Sequence, residues 1–128
     1  SEVPTDVRHN VADAVGRACC EIAAQVNAAA IVPVTSSGGE ARIIAKYRPQ
    51  VPILALTDSD EVMRQLALVW GVHAHRIPQI SNHSDLLTEV IKTLLERTLL
   101  SEGELAVLTA GTPLRNRVPT NMLRVVRL

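Results

Sequence analysis

Phenylalanine is absent from this chain, and Tyr47 and Trp70 are its sole aromatic residues. A core built from these 128 residues must therefore be aliphatic, assembled from Leu, Val, Ile and Ala. Net charge is lacking too: 13 Lys and Arg balance 13 Asp and Glu. With no basic excess to neutralise a phosphate backbone, nucleic acid is not expected as a partner. No apolar run approaches the roughly 20 residues that span a bilayer, so no membrane is expected either. The polar start, Ser1 to Asn10, has no apolar stretch of the signal-peptide kind. Cysteine is confined to the neighbours Cys19 and Cys20. That is no disulfide framework, and it points to a reduced, cytoplasmic setting.

What is present is one domain's worth of apolar residues, 47% of the chain against 20% charged. Val7, Val11, Val15, Ala18, Ile22 and Val26 recur in steps of three and four, which predicts a helix burying that stripe. Ile31 to Val34 is a short β-branched run, the pattern of a strand buried on both faces. Thr35-Ser36-Ser37-Gly38-Gly39 interrupts it, and Ala41 to Tyr47 reads as a helix ended by Arg48-Pro49. The cycle repeats with a strand at Ile53 to Leu56, a cap in Thr57 to Glu61, a helix from Val62 to Val69 and a stop at Gly71. Val72 to Ile77 is a third strand. Ser84 begins a helix burying Leu87, Val90, Ile91, Leu94 and Leu95, closed by Gly103. Leu105 to Leu108 and Met122 to Leu128 complete the strands, joined by a loop from Ala110 to Thr120.

Alternating strands and helices predict an α/β fold, a mostly parallel sheet with helices on both faces. The last strand follows its predecessor with no intervening helix, so it is expected to be antiparallel and at an edge.

Candidate metal and catalytic groups are few. His73 and His75 share a strand face but lack the further ligands of a zinc site. Cys19 and Cys20 point about 100° apart on a helix, as small buried hydrophobes would. Arg48 is expected in a structural role, and Trp70 packed at a helix end. No catalytic residue and no metal site is assigned.

Three elements carry a more specific signal: Lys46-Tyr47-Arg48-Pro49, then Arg64-Gln65-Leu66 with Trp70-Gly71-Val72, then Thr120-Asn121 with Arg124-Val125. With the turn Thr35 to Gly39 and the tail Gly103-Glu104 and Ala110-Gly111-Thr112-Pro113, their order and spacing resemble the C-terminal α/β domain of pyruvate kinase nearly end to end. The resemblance implies a three-layer α/β/α domain over residues 1–128, with strand order 3-2-1-4-5 and strand five antiparallel. It implies a parent enzyme that transfers phosphoryl from phosphoenolpyruvate to ADP, using magnesium and potassium in a (β/α)8 barrel. A barrel needs about 200 residues or more, and nothing here matches one. This chain is therefore expected to be a regulatory fragment, inactive alone and without a cofactor of its own. The alternative is a stand-alone metabolite-binding protein of the same fold.

In open α/β sheets, ligands bind beyond the carboxyl ends of strands where strand order reverses. For the order 3-2-1-4-5 that point lies between strands one and four. The loops leaving them hold Thr35, Ser36, Ser37, Gly38 and Gly39 on one side and Arg115 and Arg117 on the other. Hydroxyls, helix-start amides and guanidinium groups suit a phosphorylated small-molecule effector. The resemblance assigns the first turn to a sugar phosphate such as fructose 1,6-bisphosphate. Ser36 stands where a longer, often basic residue is common, and Glu40 where a second hydroxyl is expected. The late loop also lacks the glycines of bisphosphate-activated members. These departures argue against the bisphosphate and leave a monophosphate effector, or none. Other partners expected are the catalytic barrel and further copies of the chain, the latter through an edge-strand interface at Met122, Leu123, Arg124, Val125 and Val126.

Overall fold

A computed structural model describes residues 7–80, 83–111 and 120–128, with residues 7–10, 83 and 84 as backbone alone. Helix α1 spans Val7–Gln25, followed by β1 (Ala30–Pro33), α2 (Gly39–Lys46), β2 (Ile53–Thr57) and α3 (Asp60–Leu66). Then come β3 (Val72–Arg76), α4 (His83–Glu96), β4 (Leu105–Ala110) and β5 (Met122–Arg127). The strands form one sheet in the order β3-β2-β1-β4-β5. β1 pairs in parallel with both β2 and β4, β2 in parallel with β3, and β4 antiparallel with β5. The expected fold class, strand order and antiparallel edge are all present.

β1 is buried at all four residues and β2 at all five, which is why both read as apolar runs without alternation. Successive residues serve opposite faces. Ile31, Ile53, Ala55, Val72 and Val107 pack with Cys19, Ala23, Ile44 and Leu66 of α1, α2 and α3. Ala30, Val32, Leu54, Leu56, Ala106 and Leu108 pack with Leu86, Val90 and Leu94 of α4. Each fully buried Leu or Ile contributes about 1.5–3 kcal/mol relative to exposure.

Local chemistry sets the element ends. The Ser59 hydroxyl accepts from the Val62 N–H at 3.2 Å and caps α3, with Asp60 and Glu61 complementing the helix dipole. Gly71, at φ 82°, turns the chain from α3 into β3 in a conformation L side chains rarely adopt.

Several expectations are corrected. In α1 the buried stripe is Ala12, Gly16, Cys19 and Ala23, one position away from the expected one; Val11 and Val26 are exposed. The small residues face inward because α1 lies hard against α2. A Cβ on Gly16 would sit 2.9 Å from both Glu40 Oε1 and Ile43 Cγ2. In α4, Leu86 takes the fully buried place expected of Leu87, and Leu95 is exposed. Gly103 does not close α4, which ends at Glu96; at φ 90° it turns the chain into β4, and its N–H donates to the Leu128 carbonyl at 2.7 Å. Trp70 is 70% exposed, and the Arg48 guanidinium stacks 4.6 Å from its ring centroid, so this pair lies on the surface.

Gly16→Val tests the α1–α2 packing. A larger residue inside a helix ordinarily costs little, yet here we expect a loss of about 1–3 kcal/mol from overpacking, read as a lowered urea midpoint at unchanged slope.

Candidate functional site

The site is built where β1 ends. Val34 N–H donates to the Thr109 carbonyl at 2.8 Å and Thr35 N–H to the Leu56 carbonyl at 2.9 Å, so the strand's last amides fasten it to both neighbours. Thr35 is buried, and its hydroxyl accepts from the Gly38 N–H at 2.8 Å. The exposed Ser37 hydroxyl accepts from the Gly39 N–H at 3.2 Å. Gly38 sits at φ 84° and begins α2 with no side-chain cap. The turn's own hydroxyls thus occupy two amides, and the first turn of α2 supplies the positive end of a helix dipole.

Arg42, one turn into α2, folds back over this turn. Its Nη1 donates to the Ser37 carbonyl at 3.4 Å, and it would lie 2.7 Å from a Cβ on Gly38. Glycine at 38 therefore serves twice, for its positive φ and for the guanidinium above it. Sequence reasoning passed over Arg42; its signal was an Arg four residues after the helix-initiating glycine, close enough in a helix to reach back.

β4 runs alongside β1, with Pro33 opposite Thr109, so both strands finish at the same end of the sheet. The reversal of strand order falls between them. Thr35, Ser36, Ser37, Gly38 and Gly39 are accordingly at the expected junction. Arg115 and Arg117 lie outside the described residues. The chain is described again at Thr120, which is buried, and Asn121 N–H donates to the Ala110 carbonyl at 3.2 Å.

Glu40 departs most from expectation. As a residue of a helix's first turn it could have been a solvated partner of the dipole. Instead it is 5% exposed and faces α1, and neither carboxylate oxygen has a hydrogen-bond partner. Burial pushes its carboxyl up to about 7. The Thr120 side chain draws it down, without meeting hydrogen-bond geometry, and the charge of Asp13 pushes it up further.

The thiols next to it are held in the protonated form. Burial, then the charges of Glu40 and Cys20, push Cys19 up to about 12. Cys20 is raised by burial first and by Glu21 and Glu40 after it. His75 is lowered, by burial and then by Arg97 and His73. Among the described residues no group of three or more His, Cys, Asp and Glu is placed to hold a metal ion. Nor is any helix there long and apolar enough to cross a membrane.

Elsewhere, α1 and the connection from α2 to β2 enclose a cleft of about 580 Å³ lined by Arg17, Cys20, Tyr47, Arg48 and Gln50 among others. It opens at the opposite end of the sheet, where β1 and β2 begin. Periodicity carries no signal for it, because its two walls, from Arg17 to Asn27 and from Tyr47 to Val51, are distant in sequence.

The family model for the pyruvate kinase alpha/beta domain matches residues 13–126. The chain belongs to this family. A pyruvate kinase from Geobacillus stearothermophilus is 36% identical over 115 residues, covering 90% of this chain and 20% of the relative. One from Clostridium acetobutylicum is 36% identical over 118 residues, covering 92% and 25%. The solved structure of Cryptosporidium parvum pyruvate kinase in complex with ADP superimposes with a TM-score of 0.78 at 31% identity, covering 98% of this chain and 25% of that one. The pyruvate kinase α/β domain thus accounts for the whole described fold, while the chain spans a quarter or less of these relatives' length.

Thiol labelling checks the electrostatics of this region. With a disulfide reagent at pH 8, Cys19 should stay unmodified in the folded protein and Cys20 should react far more slowly than a free thiol, both reacting promptly in denaturant. Fast labelling of Cys19 in the native state would contradict its burial.

Proposed function

We propose that this chain is the regulatory domain of a pyruvate kinase and that the β1–α2 turn takes a phosphorylated small-molecule effector. The observation that carries the reading is the placement of Thr35, Ser37 and Gly38 at the β1–β4 junction with the Arg42 guanidinium folded over them. A phosphate entering there meets a helix start, two hydroxyls and a forked cation, and Arg115 and Arg117 would add to it from the loop after β4. Glu40 bears on the charge the turn accepts: when ionised, its carboxylate in the first turn of α2 opposes a second phosphate, which favours a monophosphate over a bisphosphate.

The parent enzyme would transfer phosphoryl from phosphoenolpyruvate to ADP in glycolysis, in the cytoplasm. Its magnesium and potassium would be held by a barrel this chain does not contain, and the chain alone would not catalyse. Effector binding would bias a two-state rotation of domains or subunits. Leu68, 90% exposed, and Trp70 offer apolar surface for contact with that barrel. At the other edge of the sheet, β5 pairs with β4 alone, and Val125 and Arg124 are exposed. This supports Met122 to Val126 as a strand-pairing interface between copies.

A thermal-shift series with sugar monophosphates, nucleoside monophosphates and fructose 1,6-bisphosphate tests the effector reading. We expect a monophosphate to raise the midpoint by a few degrees, as binding at about 100 Kd would, and Arg42→Ala to remove the shift. No response to any compound would defeat it. Sedimentation at tens of micromolar should reveal a self-associating species, and a monomer throughout would defeat the β5 interface.

A further inference from the structure

Glu40 stands apart from every other charge in the described protein. It is the one Asp, Glu, Lys, Arg or His there that is buried, both carboxylate oxygens are enclosed, and neither is hydrogen-bonded. On the α1 side its wall is Gly16, so close that a methyl group there would stand 2.9 Å from Oε1. One turn before Gly16 lies Asp13, fixed by the Tyr47 hydroxyl, which donates to it at 2.8 Å. Just beyond Gly16 come the thiols Cys19 and Cys20, each raised in part by the Glu40 charge. From the β5 side comes Thr120. Thr109 of β4 is buried too, with an unpartnered hydroxyl, and by strand alternation it faces the α1–α2 side of the sheet. On α2 itself, Arg42 is turned to the Ser37 carbonyl. Among the described residues, no cation is among the groups that set Glu40's ionisation.

An enclosed carboxyl of this kind is tolerated neutral and is costly when ionised. We propose that Glu40 is a proton-operated latch between α1 and α2: neutral, it lets α1 close on α2 at Gly16; ionised, it draws water in and loosens α1 from α2. The group titrates near neutrality, at about 7, so both states are populated under ordinary conditions. Because the folded carboxyl lies above its unfolded value of 4.5, the native state holds the proton more tightly. Stability is therefore full below about 4.5, falls as pH rises towards about 7, and levels off above it. Glu40 belongs to the first turn of α2, directly after Gly38 and Gly39, so loosening this contact also relaxes the β1–α2 turn. The latch needs no effector and stands whether or not the turn binds phosphate.

The test is carbon-13 NMR of the Glu40 carboxyl together with amide exchange of α1, in the wild type, Glu40→Gln and Asp13→Asn. We expect a wild-type midpoint near 7, moved down by Asp13→Asn, which keeps an acceptor for Tyr47 but removes the neighbouring charge. Protection factors for Ala12 to Ala23 should fall about tenfold between pH 6 and pH 8 in the wild type, on the scale of one pH unit of linkage, and stay level in Glu40→Gln. A midpoint near 4.5 overturns the proposal, as does an equal fall in Glu40→Gln. Should Glu40→Gln not fold, the wild-type midpoint and its movement in Asp13→Asn decide alone.

Discussion

The four buried residues of β1 constrain everything around them. Ala30 to Pro33 pair in parallel with β2 on one side and β4 on the other, and side chains cover both faces. A parallel partner cannot be reached by a hairpin, so each neighbour demands a crossover, and right-handed crossovers on either side of β1 place α2 and α3 opposite α4. The reversal of winding then falls between β1 and β4. The turn Thr35 to Gly38 stands at that opening because of where β1 sits in the sheet. Its hydroxyls and its left-handed glycine are local chemistry set in a place chosen by topology.

A second constraint is the thinness of the α1–α2 contact. Ala12, Gly16, Cys19 and Ala23 bring the helices close, and a long side chain at 40 is sealed by that approach. The consequences spread through electrostatics: a carboxyl raised by burial, a thiol raised in turn by that carboxyl, and the Thr120 side chain directed at a group it does not fully satisfy. Burial, more than any charge pair, governs the titrations here.

Sheet order, layers and the location of the junction were legible in the sequence, because short β-branched runs separated by capped helices admit few topologies and the family resemblance selects one. The helix faces were less legible. In α1, valine at 11 and 26 outweighs alanine and glycine in any hydrophobic pattern, yet close packing favours the small residues, and the buried stripe moved by one position. The burial of Glu40 was invisible for a related reason: it depends on how closely α2 lies against α1, a distance that periodicity does not encode. Trp70 misled through its size, since its ring is covered on the surface by the Arg48 guanidinium.

The most direct measurement is a proton–nitrogen NMR titration with inorganic phosphate. A phosphate site at the junction of β1 and β4 predicts that the amides of Ser36 to Glu40 shift first and saturate together, with the Arg42 side chain following them. Shifts confined to the Arg17 and Arg48 cleft at the opposite end of the sheet, or no shifts at millimolar phosphate, would contradict it.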